Sequence, residues 1–328
     1  IRFKQRARII RRSDCYSLRT QGFASGLYTA PNALTESDEQ ARTRALEVAD
    51  QVRASLAGSI ANYRLQTADG STKTAREISY GGGPFAYASD PQEVINYTEA
   101  HDNQTLFDSN VLKLPRDITA AERVRWQNIA TSVVVLSQGI PFIHAGQEML
   151  RSKSLDHNSY NSGDWFNRLD FEMEHNGWGR GLPPAPDNKA EWGVARRLLG
   201  DMQFRMGKSE ISLATTHLQE LLQIRRASPL FRLQTGEDVI ANVHFDNTGP
   251  EQIPGLIVMR LGPPGEEQVM VVINATRDAH SVPASVGQSY RLHDVLQRSA
   301  DETVQGAAFQ SGQLLTPALT TAVFVRSE

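Results

Sequence analysis

The stretch "EVINYTEAHDNQTLFD", residues 93–108, holds the side chains best suited to chemistry. Its apolar start gives way to His101, Asp102 and Asn103, an imidazole, a carboxylate and an amide in succession. A buried parallel strand is apolar through its middle, so polar residues are expected only where it leaves the core. A carboxylate in this setting can bind sugar hydroxyls and stabilise nearby positive charge. Glycoside cleavage needs such a group, because its transition state resembles an oxocarbenium ion.

Two other interpretations of the triplet stay open. It can be a structural cap or turn, or the HD pair of a metal-dependent phosphohydrolase. The second needs further His and Asp ligands at helical spacing. The other histidines show no such clustering, and we predict no metal site from them: His144, His157, His175, His217, His244, His280 and His293.

Helices and strands alternate before about residue 230. Ser37–Gln40 and Thr119–Glu122 have the pattern of capping boxes, and a third helix is predicted over roughly 210–227. Strands are predicted at 93–99 and 139–146, the second beginning at a glycine beyond the end of the second helix. This alternation is typical of a parallel α/β sheet. In a closed barrel, the loops after such strands build the active site.

The pattern changes after residue 233. Short apolar segments with turn signals between them predict a small all-β sandwich: "DVIANVHFDN", "GLIVMRLG", "QVMVVINATRD", "YRLHDVL" and "TTAVFVRS". We therefore predict two domains, 1–232 and 233–328. A length of 328 residues agrees with this division, since single domains are usually about 150 residues long.

Charge and composition exclude several classes of partner. The net charge of −3 gives no general attraction to nucleic acid or to a membrane surface. No apolar run approaches the ~20 residues that cross a bilayer. Cys15 is the only cysteine, which excludes an intrachain disulfide framework. We expect no cofactor.

Several long motifs resemble one known family. "INYTEAHDNQTLFD", "ERVRWQNIATSVVVLSQGIPFIHAGQEMLRSKS" and "NSYNSGDWFNRLDF" are similar to type I pullulanases and limit dextrinases, the α-1,6-debranching members of the α-amylase clan of glycoside hydrolases. The resemblance runs from about Leu18 to the C-terminus and includes "GFASGLYTAPNAL" and "ELLQIRRASPLF". It implies a partial TIM (β/α)8 barrel, of which 93–103 is the seventh strand and 139–146 the eighth. A pullulanase-type C-terminal β-sandwich follows.

The resemblance also implies site roles. Asp102 becomes the carboxylate that stabilises the transition state, and His101 and Asn103 become substrate-binding neighbours. Further substrate-binding residues are expected in the loops after the eighth strand, where scaffolding is the alternative role for each: Arg151, Asn158, Tyr160, Asp164 and Trp165. The implied partner is an α-glucan such as pullulan, amylopectin or limit dextrin. Calcium in a full-length enzyme stays open.

Two carboxylates of the family pattern are not found. A retaining glycosidase needs a nucleophile and a general acid/base. In this clan both precede the strand that carries Asp102, and neither motif occurs before residue 93. Glu99 is interpreted as strand or rim structure. We therefore expect the nucleophile, the acid/base and the earlier barrel segments to lie outside this chain, and the chain alone to be inactive.

The first 17 residues depart from the family pattern. "IRFKQRARIIRRSDC" is strongly basic and is predicted to be atypical sequence, for which a non-native origin is left open. Localisation is left open, although the resemblance implies an extracellular or periplasmic protein if the source is bacterial. The alternative function is a non-catalytic carbohydrate-binding or docking module that uses the β-sandwich.

Overall fold

The structure is a computed structural model that describes residues 19–34, 37–263, 268–284 and 287–326. The prediction about residues 1–17 lies outside the described residues. Of the described helices, none has both the length and the apolar character that crossing a membrane requires.

The described residues form ten α-helices and seven short 3₁₀ turns. The helices are α1 (Asp38–Leu56), α2 (Leu106–Lys113), α3 (Ala120–Val135), α4 (Asp164–Asn167), α5 (Ala185–Asn188), α6 (Trp192–Leu199), α7 (Lys208–Ala227), α8 (Gly236–Asn242), α9 (Asp294–Gln297) and α10 (Glu302–Gln305). The 3₁₀ turns are Phe23–Ser25, Pro91–Glu93, Gln147–Met149, Ser159–Asn161, Lys189–Glu191, Met202–Phe204 and Pro229–Phe231.

Fourteen described strands form five sheets. The strands are β1 (Arg64–Gln66), β2 (Thr72–Thr74), β3 (Ser79–Tyr80), β4 (Gly83–Pro84), β5 (Ile95–Asn96), β6 (Ile140–Pro141), β7 (Val243–Asp246), β8 (Leu256–Leu261), β9 (Val269–Asn274), β10 (His280–Pro283), β11 (Tyr290–Leu292), β12 (Ala308–Gln310), β13 (Gln313–Thr316) and β14 (Thr320–Arg326). β5 and β6 pair in parallel. The other sheets are antiparallel: β1-β2, β3-β4, β10-β13-β12 and the five-stranded β11-β14-β9-β8-β7.

Helix α3 begins where its sequence predicts. The Thr119 hydroxyl accepts a hydrogen bond from the Glu122 amide at 3.2 Å, and the Glu122 carboxylate accepts one from the Thr119 amide at 2.9 Å. This reciprocal capping satisfies two amides that a helix start leaves unpaired. The helix is buried around most of its circumference, including Trp126 and Ile129, so it lies inside the molecule rather than on its surface.

One large apolar core spans most of the chain. It contains Trp126 and Leu136 from α3 and its end, together with Val258 and Val271 from the five-stranded sheet. All six residues of β9 are buried, because the sheet is covered on both faces. This core therefore includes residues from both sides of the predicted boundary at 232/233, and the boundary stays a prediction.

A second, smaller core lies beside α2 and α6. Phe107 contacts Trp178 edge-to-face with ring centroids 6.1 Å apart, and Trp178 contacts Phe204 at 5.4 Å. Buried Leu150 and Leu155 belong to the same cluster. The loop after β6 is thus anchored to the helix that follows the His101–Asn103 segment.

The predicted fold class is confirmed at its coarse level, a mixture of helices and sheets. Within the described ranges the strands form no closed barrel, and the parallel pair covers two residues in each strand. The more detailed expectation, a partial barrel followed by a β-sandwich, stays a prediction.

Two strand predictions are wrong in part. Residues 236–242, which include the start of "DVIANVHFDN", form α8, because the Thr235 hydroxyl accepts a hydrogen bond from the Asp238 amide and caps the helix. "YRLHDVL" forms β11 and then α9.

Candidate functional site

The site is built on the parallel pair β5 and β6. The Ile140 amide donates to the Val94 carbonyl at 2.9 Å, and the Phe142 amide donates to the Asn96 carbonyl at 2.8 Å. Gly139, with φ +93°, allows this approach, because a Cβ atom there would lie 3.1 Å from the Val94 carbonyl oxygen. Because the two strands run in the same direction, the polar residues that follow them lie at the same edge of the sheet, where both strands end.

Asp102 and His101 lie at this edge and face solvent. The Asp102 side chain is 61% exposed and the His101 side chain 82%, with His101 Nε2 3.6 Å from Asp102 Oδ1. Asn103 is also exposed and has a left-handed backbone, φ +63°. The carboxylate is therefore accessible to a ligand rather than packed in the interior.

A buried chain of polar groups lies behind the triplet. The Glu99 carboxylate is 3.0 Å from His144 Nδ1 and also accepts a hydrogen bond from the Leu106 amide at the start of α2. Arg151 Nη1 lies 3.4 Å from His144 Nε2. Arg151 can only donate, so Nε2 is the ring nitrogen that can accept from it and Nδ1 the one that can donate to Glu99. Glu99 thus connects both strand ends to α2, in agreement with its interpretation as structure.

Asp108 in the first turn of α2 holds the loop after β6. Its carboxylate is fully buried and accepts hydrogen bonds from the Ser152 hydroxyl at 2.5 Å, the Lys153 amide at 2.9 Å and the Leu155 amide at 3.1 Å. Burial raises the pKa of Asp108 to about 6, since desolvation outweighs the three hydrogen bonds that favour the charged form. The loop that contains Arg151 is therefore fixed from the helix that follows Asp102.

The next segment passes directly beside Asp102. Asn158 forms an antiparallel β-bridge with Asp102. Buried Asp156 fixes the segment by accepting hydrogen bonds from the Asn158 amide at 2.9 Å, the Ser162 hydroxyl at 2.6 Å and the Asn188 side-chain amide at 3.0 Å. Asn158 is thus placed against the triplet by hydrogen bonds within its own loop.

Exposed aromatic side chains continue this segment. Tyr160 is 82% exposed and Trp165 56% exposed. The Trp165 indole donates to the Arg180 carbonyl at 2.7 Å, and the Arg168 guanidinium lies 5.5 Å from its ring centroid. Asp164, the first residue of α4, is also exposed. Aromatic faces held in this way can stack against sugar rings.

The predicted residues fall into two groups. His101, Asp102, Asn103 and Asn158 lie together at the β-bridge, and Arg151 reaches the same region through His144 and Glu99. Tyr160, Asp164 and Trp165 share the segment that begins at Asn158. Among the described residues no group of three or more His, Cys, Asp or Glu side chains is arranged to hold a metal ion.

The sequence did not predict the residues that support this site through buried or partly buried hydrogen bonds. Asp108, His144, Lys153 and Asp156 are charged or titratable residues in or beside the motifs, yet nothing in their spacing indicated which of them are buried. A usable signal is the position of Asp108 three residues after Thr105, whose hydroxyl caps α2.

The aromatic residues of 233–328 are packed inside. Tyr290 and Phe324 are buried in the main core, and Phe245 and Phe309 pack against it. They therefore form no exposed platform for sugar stacking in the described part of this region.

Comparison with known proteins confirms the resemblance seen in the motifs. Residues 173–327 match the family model of pullulanase-type α-1,6-glucosidases, C-terminal region. The chain is 42% identical to the chloroplastic pullulanase 1 of Arabidopsis thaliana over 94% of its own length and 34% of that protein. It is 37% identical to a pullulanase of Klebsiella pneumoniae over 92% of its length and 28% of that protein.

Solved structures agree with the sequence matches. PulA from Klebsiella oxytoca superposes with a TM-score of 0.87 and 34% identity, covering 95% of this chain and 30% of that one. The maltotriose complex of PulA from Klebsiella pneumoniae gives a TM-score of 0.85 and 35% identity, covering 95% and 35%. The chain thus spans about a third of the length of these relatives.

Proposed function

Because this chain is a relative of the pullulanases, matching the C-terminal region of pullulanase-type α-1,6-glucosidases, we propose that it supplies one rim of an α-glucan site. The observation that carries the proposal is the exposed Asp102 carboxylate beside His101, at the edge where β5 and β6 both end. The reaction is hydrolysis of α-1,6-glucosidic bonds in pullulan, amylopectin or limit dextrin, with retention of configuration.

Asp102 has the properties of a transition-state stabiliser. A developing oxocarbenium ion is stabilised by a negative charge held close to the ring, and an exposed carboxylate can approach a bound sugar. His101 is free to donate to a sugar hydroxyl, because its imidazole is largely exposed. Asn103 and Asn158 offer amides on either side, while Tyr160 and Trp165 offer ring faces.

In this proposal the other catalytic groups are not part of this chain. The nucleophile and the general acid/base, as well as the preceding strands of the (β/α)8 barrel, lie outside this chain. Exposed apolar side chains on β5, on β6 and directly after β6 support a further element that covers them. Ile95, Ile140 and Phe142 are each about half exposed. In this arrangement β5 and β6 are the seventh and eighth barrel strands, residues 1–232 end the barrel domain, and 233–328 form the sandwich domain.

A chimaera tests the proposal. Residues 19–328 replace the matching third of the Klebsiella pneumoniae pullulanase, and reducing-sugar release from pullulan is measured. We expect the chimaera to be active, and Asp102→Asn to lower kcat on the order of 10²–10³-fold, because the substitution removes only the charge that faces the transition state. Asp278→Asn, at an exposed turn beyond β9, is the matched control and should keep full activity.

Two results would contradict the proposal. One is a chimaera that folds and binds glucan but hydrolyses no pullulan. The other is an active chimaera in which Asp102→Asn behaves like Asp278→Asn, since the charge would then have no part in the reaction.

A further inference from the structure

Lys153 is a buried cation with an unusual pair of acceptors. Its side chain is 1% exposed, and the ammonium donates to the His101 carbonyl at 2.9 Å and to the Ser159 hydroxyl at 2.8 Å. Burying an ammonium carries a large desolvation cost, and an apolar side chain of similar volume is often at least as stabilising. Its place in the fold therefore points to a task other than stability.

The two acceptors flank the β-bridge beside the site. Asp102 pairs with Asn158 in antiparallel orientation, so His101 and Ser159 are the next residues opposite each other across that bridge. Lys153 thus connects the two segments of the bridge, because it bonds one residue in each of them. It acts on the carbonyl of the peptide that joins His101 to Asp102, and the orientation of this peptide sets the direction of the Asp102 side chain.

The segment needs such a restraint. Asn103 follows with a left-handed backbone, a sparsely populated conformation that asparagine tolerates better than most other L-residues. The side chains of His101 and Asp102 face solvent and contribute little packing of their own. Lys153 itself is fixed, because its backbone amide donates to the Asp108 carboxylate at 2.9 Å.

The charges around the ammonium fit this arrangement. Burial lowers the pKa of Lys153, while the carboxylates of Asp108, Asp156 and Glu99 favour its charged form and Arg151 opposes it. Three nearby carboxylates thus favour the charged form without accepting the hydrogen bonds given for the ammonium, which are directed to the His101 carbonyl and to the Ser159 hydroxyl.

We propose that Lys153 is a positioning residue, which orients Asp102 by connecting the His101 carbonyl to Ser159 across the β-bridge. This inference rests on the proposed function of Asp102. In this role Lys153, the lysine of "RSKS", acts through Asp102 and does not contact the substrate itself.

Selective labelling makes the connection observable in the 328-residue chain. With ¹³C-carbonyl histidine and ¹⁵N-aspartate, a carbonyl–amide correlation arises only from His-Asp pairs, and the sequence has two, 101–102 and 293–294. The second pair lies at the start of α9, remote from Lys153 in sequence, and serves as an internal reference.

The test compares Lys153→Met, which keeps an unbranched buried stem, with Lys189→Met at an exposed position. We expect Lys153→Met to move the His101 carbonyl signal upfield, because a hydrogen bond from an ammonium to that carbonyl is lost. The 293–294 signal should stay in place, and Lys189→Met should move neither.

The outcomes separate positioning from general stabilisation. An unchanged 101–102 signal in folded Lys153→Met overturns the inference, and so does an equal displacement of both signals. If Lys153→Met fails to fold, Ser159→Ala carries the test: release of one acceptor should still shift the 101–102 signal, and no shift overturns the inference. Because no glucan is present, these results are independent of the Asp102→Asn result in the chimaera, which tests the proposed function.

Discussion

At the scale of single residues, burial decides which charged groups could meet a ligand. Asp102 and Asp108 are six positions apart, yet the first is exposed and the second fully buried. Asp108 accepts three hydrogen bonds from the loop 152–155 and has no access to solvent. The same functional group therefore serves as a candidate ligand contact in one place and as a fixed support in the other.

His217 on α7 gives a residue-scale prediction of pH dependence. Its Nε2 lies 2.9 Å from the Ser132 hydroxyl, and burial lowers its pKa from 6.5 to about 4. Between about pH 4 and pH 6.5, His217 binds a proton in the unfolded chain but not in the folded chain. The contribution of neutral His217 to stability is therefore present above pH 6.5 and is lost as the pH falls toward 4.

The measurement is urea unfolding of the wild-type chain and His217→Gln at several pH values. Relative to the variant, the free energy of unfolding of the wild type should fall by about 1.4 kcal/mol per pH unit across this window. Parallel pH profiles for the wild type and His217→Gln would contradict this prediction, because His217 would then bind its proton at the same pH in the folded and the unfolded chain.

At the scale of elements, α1 is joined to the loop before β8 by a buried arginine. Arg53 donates to Asp50 at 3.0 Å, to the Asn247 carbonyl at 2.6 Å and to the Gln252 side chain at 2.7 Å. Burial lowers the pKa of Arg53 to about 10 and raises that of Asp50, so each charge depends on the other.

Arg53→Met should lower the free energy of unfolding by about 3–5 kcal/mol, because it leaves the Asp50 carboxylate buried without its partner. The matched control is Arg42→Met on the same helix, where the guanidinium reaches the Pro250 carbonyl at an exposed position. We expect that change to cost less than about 1 kcal/mol. Equal urea midpoints for the two variants would refute this account of the junction.

The elements also show what could be predicted from sequence. α3 was predictable, because the capping box at Thr119 and Glu122 is local and complete. α8 was missed although "TGED" carries a threonine three residues before an aspartate, because the apolar residues that follow resemble a strand. The motifs predict the exposed residues of the candidate site, and their role in binding stays a prediction. The buried support from Lys153 could not, since its partners lie 52 residues before and 6 residues after it in the chain.

At the scale of the whole molecule, several polar contacts cross the predicted domain boundary. Tyr63 donates to the Val243 carbonyl at 2.8 Å, Arg125 pairs with Asp301 at 2.5 Å, and the Ser299 hydroxyl donates to Glu220 at 3.1 Å. Together with the shared apolar core, these contacts mean that neither side of residue 232 keeps its packing alone.

We therefore expect the described parts on both sides of residue 232 to unfold in one cooperative transition. All four tryptophans precede residue 233, so their fluorescence reports only on the first part. Hydrogen-exchange protection of β8 and β9 reports on the second. The two probes should give the same urea midpoint, and Arg53→Met should move both midpoints together, because the junction belongs to both parts. Two separated midpoints, with only one displaced by Arg53→Met, would mean that 233–328 is an independent folding unit despite the core that it shares.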